Sequence, residues 1–203
     1  RRSGGEFKFD PGCPSCSRPI GVLEPLTETA RCDYAANVGD GAPDLDDLAS
    51  WPLNYWGPES VAEARRLKRS GRFPRPPRDW TGVSWLGVGV RLAAITDGTS
   101  STFMFGEKYV MQDAYFSGTD WGDNEPLYGG FNNDNHRSAH PRWPLMQDTA
   151  GEMSIGSFGS AHSSGVNFSM ADGSVHTIVY MIDSRVYRRL GNRRDGQSVE
   201  VPQ

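Results

Sequence analysis

Residues 158–180 constrain the fold more than any other part of this 203-residue chain. Between residues 166 and 170, bulky apolar side chains alternate with smaller or polar ones, which is the period of a strand that buries one face. The dipeptide Asp172-Gly173 follows as a two-residue turn signal, and residues 175–180 supply a second extended run. The pattern therefore predicts a β-hairpin near the C-terminus, at the edge or in the centre of a sheet.

The composition indicates a small, loop-rich fold. Only 36% of the residues are hydrophobic, while 24 glycines and 14 prolines favour short strands and long connections over a helical bundle. The length suffices for one domain with its own core. We expect an α+β fold with a small, mostly antiparallel sheet, long loops and a few short helices. Residues 1–30 are predicted to form an irregular arm, and residues 31–203 a globular domain ending in the hairpin and a short helix.

Further extended segments precede the hairpin. Residues 31–37 are predicted to form a short strand, and residues 83–90 alternate weakly before a single helical turn at 91–95. Residues 102–110 are rich in aromatic and β-branched side chains, which favour a strand. Gly106 within that strand indicates a bulge or a close crossing of two segments.

Two helices are predicted outside the sheet. Residues 59–70 combine helix-favouring side chains with Ser60 or Glu59 near the start and a late cluster of basic residues. Their thin apolar stripe places the helix on the surface. Residues 183–190 form the second, with Asp183 or Ser184 as the N-terminal cap and Gly191 as the stop signal.

The charge distribution argues against a nucleic-acid partner. The formal net charge is −4, whereas a nucleic-acid surface needs a concentrated basic face. Basic side chains do cluster in residues 65–78 and 185–194. Such clusters are typical of solvated faces or of partners for acidic loops.

Several short segments together resemble a known family. His162 and the pair Asp172-Gly173 are separated by nine residues, an arrangement similar to one in the pilin-like and pseudopilin-like proteins of planctomycete type, the domain of unknown function 1559. Other segments resemble the same family in the same order, namely residues 33–39, 97–107, 128–134 and 190–196.

The resemblance implies a pilin-like or pseudopilin-like globular domain. It implies a non-enzymatic, exported structural or assembly subunit, similar to a type IV pilin or a type II secretion pseudopilin. Such a subunit lies in the periplasm or on the cell surface, and its partners are protein subunits of a filament or envelope complex. The motif residues then have structural roles: His162, Asp172, Gly173, Asp97, Gly98, Gly106 and Glu107.

One feature of the family pattern is not found in this sequence. Family members begin with a basic leader and a hydrophobic helix, whereas residues 1–30 contain no apolar run near the roughly 20 residues of a spanning helix. We therefore expect this chain to be the later part of a longer precursor, anchored in the membrane through a missing N-terminal helix.

The three cysteines are Cys13, Cys16 and Cys32. The first two have the spacing of half a zinc site or of a redox pair, but a closed zinc site needs four ligands, and a thioredoxin-like reading lacks its βαβ pattern. Because the resemblance implies an oxidising compartment, we expect a disulfide between two of the three. The pairing stays open.

His162 and Asp172 raise the question of acid–base chemistry. A hydrolase built on this pair is one hypothesis, but the chain contains no Gly-x-Ser-x-Gly nucleophile motif. The alternative, which we favour, is that His162 fixes the loop before the strand through a hydrogen bond. Asp172 would then cap its own turn. On this reading the chain has no catalytic residues and is not an enzyme.

An oxygen-rich loop offers the best candidate for a metal ion. Calcium takes oxygen ligands from flexible loops, and the resemblance adds that some pseudopilins carry a loop calcium ion. The candidate ligands are Asp120, Asp123, Asn124 and Asp134. Ordinary side-chain turns explain most such residues, and no cofactor is otherwise expected. His136 and His140 have the spacing of a helical zinc pair, but Pro141 makes a helix there doubtful.

Six tryptophans suggest a second function class. Exposed on one face, they would stack on sugars or anchor a partner, so the alternative is a cell-surface carbohydrate- or peptide-binding module. The simpler expectation is that they pin long loops over the sheet. A further alternative is an accessory subunit of a larger membrane complex, bound through the arm at residues 1–30.

Overall fold

The computed structural model describes residues 30–41, 60–73, 75–76, 80–125 and 131–202. This part of the chain forms an α+β fold in which one five-stranded sheet is accompanied by two short two-stranded ribbons. The strands are β1 Tyr34–Asn37, β2 Ser84–Trp85, β3 Val88–Gly89, β4 Phe103–Glu107, β5 His136–Arg137, β6 Met146–Gln147, β7 Gly159–Ser160, β8 Val166–Met170 and β9 Val175–Ile178. The helices are α1 Val61–Arg69 and α2 Ser184–Gly191, with short 3-10 turns at Leu92–Ala94, Thr99–Ser101 and Gln112–Ala114.

The main sheet has the strand order β5-β1-β4-β8-β9. Three of its pairings, β1 with β4, β4 with β8 and β8 with β9, are antiparallel, which confirms the predicted mostly antiparallel sheet. The pairing of β1 with β5 is parallel. The weakly alternating residues 83–90 are two strands, β2 and β3, which pair with each other around a tight turn.

The C-terminal hairpin is confirmed, but its turn differs from the predicted two-residue type. Met170 N donates to Ser174 O at 2.8 Å and Gly173 N donates to Met170 O at 3.0 Å, so residues 171–173 form a three-residue loop. A type I′ turn needs a positive φ at both central residues, and here only Gly173 has one, at 90°. The loop also docks on the chain, because Asp172 N donates to Thr99 O at 3.1 Å.

Both predicted helices form, with one correction. Ser60 Oγ accepts a hydrogen bond from Glu63 N at 3.1 Å as the α1 cap, and α1 buries none of its side chains, as predicted. Asp183 caps α2. Gly191 is not the stop signal that we expected, since it is the last residue of α2 and has no positive φ. A Cβ there would lie 2.2 Å from Cβ of Ala139, so close packing is what requires the glycine.

Gly106 marks a close crossing, as its position in the strand suggested. A Cβ at Gly106 would lie 2.4 Å from the ring of Phe168 and 2.8 Å from the ring of Phe158. The bulge that the sequence also allowed lies just before it, where the register with β8 shifts between Phe103 and Phe105.

The core has two parts. The larger lies on one face of the sheet, where the rings of Phe103 and Phe168 stack with centroids 3.9 Å apart and α2 contributes Tyr187 and Leu190. The smaller packs tryptophans over the β1 and β5 side and consists of Val38, Trp80, Trp85, Phe131, Trp143 and Ile155. Burial of such large side chains contributes roughly 1.5–3 kcal/mol each, which stabilises a sheet of short strands.

Within the described ranges, the second face of the sheet is covered at only one end. Over β5, the ring of Phe131 packs 4.2 Å from that of His136. Towards β8 and β9, Asn167 and Ser169 on this face are half-buried, while Val175 and Thr177 are exposed to solvent. We call this surface the open face and define it by Tyr34, Phe105, Val175 and Thr177. Among the described residues, no helix combines the length and the apolar content needed to cross a membrane.

Candidate functional site

His162 and Asp172 lie at opposite ends of β8 and do not form the acid–base pair considered above. The imidazole Nε2 of His162 instead lies 3.4 Å from Oε1 of Glu107, the last residue of β4. The other oxygen of Glu107 accepts a hydrogen bond from Asn167 N at 2.8 Å. His162 therefore contacts β4 through Glu107, and the same carboxylate also binds the start of β8.

Asp172 caps its own turn. Its Oδ1 accepts hydrogen bonds from Ser174 N at 2.9 Å and from Ser174 Oγ at 2.8 Å. The backbone hydrogen bond from Ser174 lowers the pKa of Asp172 below its ordinary value. This carboxylate therefore stabilises the loop that Gly173 completes.

Asp97 joins two of the family-like segments. Its carboxylate accepts hydrogen bonds from Asp195 N at 2.6 Å and from Gly196 N at 3.0 Å. Next to it, Gly98 has a φ of 106°, which favours glycine, and its carbonyl accepts a hydrogen bond from Thr102 Oγ1 at 2.9 Å. The segment that begins at Asp97 thus holds the one that follows α2.

Asn37 was not singled out from the sequence, yet it connects three elements. Its Nδ2 donates to Phe103 O at 3.0 Å and to Gly191 O at 2.8 Å, and its Oδ1 accepts from Gly39 N at 2.7 Å. The signal that could have identified it is an amide side chain at the end of a short strand with two alanines. From β1, the side chain satisfies buried backbone groups of β4, of α2 and of the segment after β1.

Asp40 is a second residue that the sequence analysis missed. Its carboxylate accepts hydrogen bonds from Arg188 Nε at 2.6 Å and from Asn192 Nδ2 at 2.9 Å. The hydrogen bond to Asp40 raises the pKa of Arg188. These contacts hold α2 against the segment that follows β1.

The oxygen-rich loop is built around a buried lysine. Lys108 follows β4 directly, and its ammonium lies 2.8 Å from Asp123 Oδ1. The ammonium also donates to Asp134 O at 2.6 Å and to Gly122 O at 3.2 Å. Arg31 Nη1 lies 3.9 Å from the other oxygen of Asp123. All three charged side chains are almost completely buried, and they form a charge cluster beneath the loop.

Three of the four predicted calcium ligands, Asp120, Asp123 and Asp134, bind other groups of the protein. Asp120 accepts hydrogen bonds from Met111 N at 2.7 Å and from Gly122 N at 2.8 Å, while Asp134 accepts one from Glu125 N at 2.8 Å. No group of three or more His, Cys, Asp or Glu side chains in the described ranges is placed to hold a metal ion. The ammonium of Lys108 supplies positive charge beside Asp123, and a calcium ion at this loop stays a prediction.

Burial changes the acidity of two carboxyl groups beside the cluster. Desolvation raises the pKa of Glu125 to about 8, with a further contribution from the charge of Asp134. Desolvation likewise raises the pKa of Asp134 to about 6, against the opposing effect of Lys108. Asn132 Nδ2 donates to the carboxyl group of Glu125. At neutral pH Glu125 is therefore largely protonated.

The two histidines with zinc-like spacing do not act as a pair. His136 Nε2 lies 2.9 Å from Ser84 Oγ, and burial lowers the pKa of its imidazole to about 3. His140 Nδ1 accepts a hydrogen bond from Arg142 N at 3.1 Å. Both imidazoles therefore bind neighbouring groups of the protein.

The tryptophans mostly pin loops. Trp80, Trp85 and Trp143 are buried in the smaller core, which confirms the simpler expectation for those three. Trp121 is 60% exposed, and it is the one exposed tryptophan in the part of the chain that the structure describes. Trp51 and Trp56 lie outside the described residues. A stacking platform of several tryptophans is therefore not present within the described ranges.

Of the three cysteines, only Cys32 lies within the described residues. Cys32 is a half-buried free thiol whose Sγ accepts a hydrogen bond from Tyr34 N at 3.4 Å. Cys13 and Cys16 lie outside the described residues, as does nearly all of the arm at residues 1–30. A disulfide between Cys13 and Cys16 stays a prediction.

The open face is the most distinctive surface of the described residues. Phe105 is 44% exposed, Tyr34 54% and Val175 69%, although all three belong to the main sheet. Several large apolar side chains exposed on one face of a sheet are typical of a surface that a protein partner covers. This face is therefore the candidate interaction site.

Comparison with known proteins places the chain in a family. A family model described as SBP_bac_10, protein of unknown function (DUF1559), matches residues 14–185. The match includes His162 and Asp172-Gly173 and ends before the segment 190–196. No curated protein and no solved structure matches the chain. Since the family model covers more than half of the sequence, the chain belongs to the DUF1559 family.

Proposed function

We propose that this protein is a non-enzymatic, exported structural or assembly subunit, similar to a type IV pilin or a type II secretion pseudopilin. The full-length precursor is anchored in the membrane, and the domain lies in the periplasm or on the cell surface. Its partners are protein subunits of a filament or an envelope complex. The observation that carries the proposal is the open face.

The exposure of Phe105 and Val175 supports a protein contact. Both residues lie on one face of the sheet, in a row in which the half-buried Ser169 separates them. Burying such apolar surface releases about 25 cal/mol for each Å² removed from water. In a filament or envelope complex, a neighbouring subunit would cover these side chains.

The contacts of the motif residues also support a structural role. Asp97 holds the segment after α2, Glu107 holds the start of β8, and Asp172 holds its own turn. Each of these carboxylates accepts backbone hydrogen bonds, which is the use of a side chain that stabilises a fold. The family-like segments thus maintain the scaffold that presents the open face.

Site-specific photocrosslinking in the native envelope tests this proposal. A photoreactive phenylalanine analogue replaces Phe105 in the full-length precursor, and a matched variant carries it at Phe116, which is 50% exposed outside the sheet. We expect position 105 to give discrete protein adducts that Phe116 does not give. Equal, diffuse labelling at both positions, with the protein recovered free in the soluble fraction, would contradict the proposal.

A further inference from the structure

The outer edge of β9 carries free backbone groups. Met170 and Ser174 form a hydrogen-bonded pair next to the turn, with Met170 N donating to Ser174 O at 2.8 Å. In an antiparallel pair of strands, hydrogen-bonded and non-hydrogen-bonded residue pairs alternate. His176 and Ile178 therefore form hydrogen-bonded pairs with β8, whereas Val175 and Thr177 do not. The N–H and C=O groups of Val175 and Thr177 therefore face away from β8. No described residue covers them with a backbone hydrogen bond.

This edge has none of the usual protection against pairing. Natural edge strands carry charged side chains, prolines or bulges that prevent another strand from adding. Residues 173–182 contain no Asp, Glu, Lys, Arg or Pro. The opposite edge is different, because β5 is only two residues long and both of its residues are buried. Of the two edges of the main sheet among the described residues, that of β9 is thus the unprotected one.

Exposed apolar side chains continue along the same edge. Val175 is 69% exposed, Val179 is 46% exposed and Met181 is 92% exposed. Val175 lies on the open face, in the same row of the sheet as Phe105. A strand added at β9 would therefore extend the open face and cover apolar surface as well as backbone groups.

We propose that β9 pairs antiparallel with β9 of a second copy of this chain, with Thr177 on the two-fold axis. This register places Val175 of one copy opposite Val179 of the other, and it uses the outward backbone groups of Val175 and Thr177. The inference rests on the proposed function, because it names the surface through which two subunits meet.

A second copy is the partner that these observations favour. Pairing of like strands suffers from charge repulsion when they carry charges, and residues 173–182 carry no Asp, Glu, Lys or Arg. An identical strand also has the same length, and it places the apolar side chains of Val175 and Val179 opposite each other. A two-fold interface of this kind is self-complementary, as closed dimers require. The two open faces then join into one continuous sheet surface.

Charge and proline variants test the edge. In sedimentation velocity over a concentration series, we expect the 203-residue chain to dimerise. Val175→Lys should weaken the dimer by at least about tenfold in dissociation constant, through desolvation of the added charges. Thr177→Pro should do the same, because it removes an outward N–H that the fold does not use. Val61→Lys on α1 is the matched control, since Val61 is also 69% exposed, and it should dimerise normally.

Cysteine crosslinking tests the register. In a background where Cys13, Cys16 and Cys32 are serine, Thr177→Cys should form a disulfide-linked dimer, because residues on the axis have Cα atoms about 5.5 Å apart. Val175→Cys alone should stay reduced under the same oxidation. A mixture of Val175→Cys and Val179→Cys chains should crosslink. Circular dichroism confirms that each variant is folded.

Two results would overturn the proposal. One is a monomer at every concentration, and the other is a dimer that all edge variants leave unchanged. Neither result affects the function proposed above, because photocrosslinking at Phe105 in the envelope reports on subunit contacts independently of the β9 edge. If the analogue at position 105 gives no protein adducts while the chain still dimerises through β9, only the proposed assembly role is contradicted.

Discussion

The carboxylate of Glu107 and the imidazole of His162 lie 3.4 Å apart and connect the end of β4 to the loop before β8. The two partners differ in environment, because the side chain of Glu107 is 11% exposed and that of His162 is 60% exposed. Glu107 also accepts the backbone hydrogen bond of Asn167. The glutamate therefore has a second, buried function that the histidine does not share.

Truncation of the two partners should have unequal effects. His162→Ala removes one exposed contact and should cost at most about 1 kcal/mol of unfolding free energy. Glu107→Ala also leaves the N–H of Asn167 without its acceptor, which should cost about 1–3 kcal/mol. Glu107→Gln keeps an oxygen acceptor and serves as the control. Urea unfolding measures all three, and equal losses for the alanine variants would contradict the assignment.

Removal of the Asp97 carboxylate should release the C-terminal segment. Asp97→Ala leaves the N–H groups of Asp195 and Gly196 without acceptors, so we expect a loss of about 1–3 kcal/mol. Hydrogen exchange should accelerate at these two amides while the β8 amides stay protected. Asp97→Asn, which retains one oxygen, should be intermediate. Unchanged exchange in the alanine variant would show that the cap does not hold this segment.

The buried ion pair of Lys108 and Asp123 gives a larger expected effect. Lys108→Met leaves Asp123 buried beside fewer positive charges, and breaking such a pair costs about 3–5 kcal/mol. Lys68→Met on exposed α1 should cost less than about 1 kcal/mol. The double variant Lys108→Met, Asp123→Leu should recover part of the loss, which a double-mutant cycle measures. Strictly additive losses would mean that the two side chains do not interact.

Gly106 provides a direct test of the close crossing with β8. Gly106→Ala places a methyl group against the rings of Phe158 and Phe168, and overpacking of this kind costs about 1–3 kcal/mol. Adding Phe168→Leu should restore part of the stability by making room. Gly89→Ala in β3 is the control, because nothing lies within 4 Å of the position that its Cβ would take. Thermal unfolding distinguishes the crossing from a general effect of alanine in a strand.

Glu125 should make stability depend on pH. Its folded-state pKa is about 8, above its ordinary value of 4.5, so the protonated form is the one that the fold favours. The contribution of Glu125 to the free energy of unfolding is therefore fully present below pH 4.5 and is lost as the pH rises towards 8. Asp134 contributes in the same direction, but only up to about pH 6. Between pH 6 and 8, the loss of stability is thus expected to come mainly from ionisation of Glu125.

Glu125→Gln should remove that dependence. The variant cannot ionise, so its melting temperature should exceed that of the unmodified chain at pH 8 and approach it near pH 5. Asp113→Asn, at an exposed carboxylate, is the control and should leave the profile unchanged. A decline of equal steepness in the glutamine variant between pH 6 and 8 would contradict the raised pKa.

Local patterns predicted the elements whose signals lie within a few residues. The alternation in β8, the Ser60 cap of α1 and the Asp183 cap of α2 all depend on neighbours in the chain, so the sequence indicated them correctly. The turn of the hairpin was predicted wrongly, because Asp172-Gly173 suits either a two-residue or a three-residue loop. Docking of the loop on Thr99 favours the longer form.

The candidate site was predicted less completely than the fold. Asp172 was correctly expected to cap its own turn, but Lys108 was not expected to lie buried against the oxygen-rich loop. The sequence shows the acidic residues of that loop, while their cationic partner follows a distant strand. Nor does a pattern of residues reveal which face of a sheet remains uncovered, so the exposure of Phe105 came only from the structure.

The order of residues was enough to establish the class of fold, the hairpin, the helix caps and the family membership, because alternation, capping and motif order act over short distances. The folded chain alone established which partners meet: Asn37 with Gly191 across 154 residues, Asp97 with Gly196 across 99, and Lys108 with Asp123. A buried donor or acceptor must be satisfied wherever the folded chain brings a partner, and separation along the chain does not predict that place.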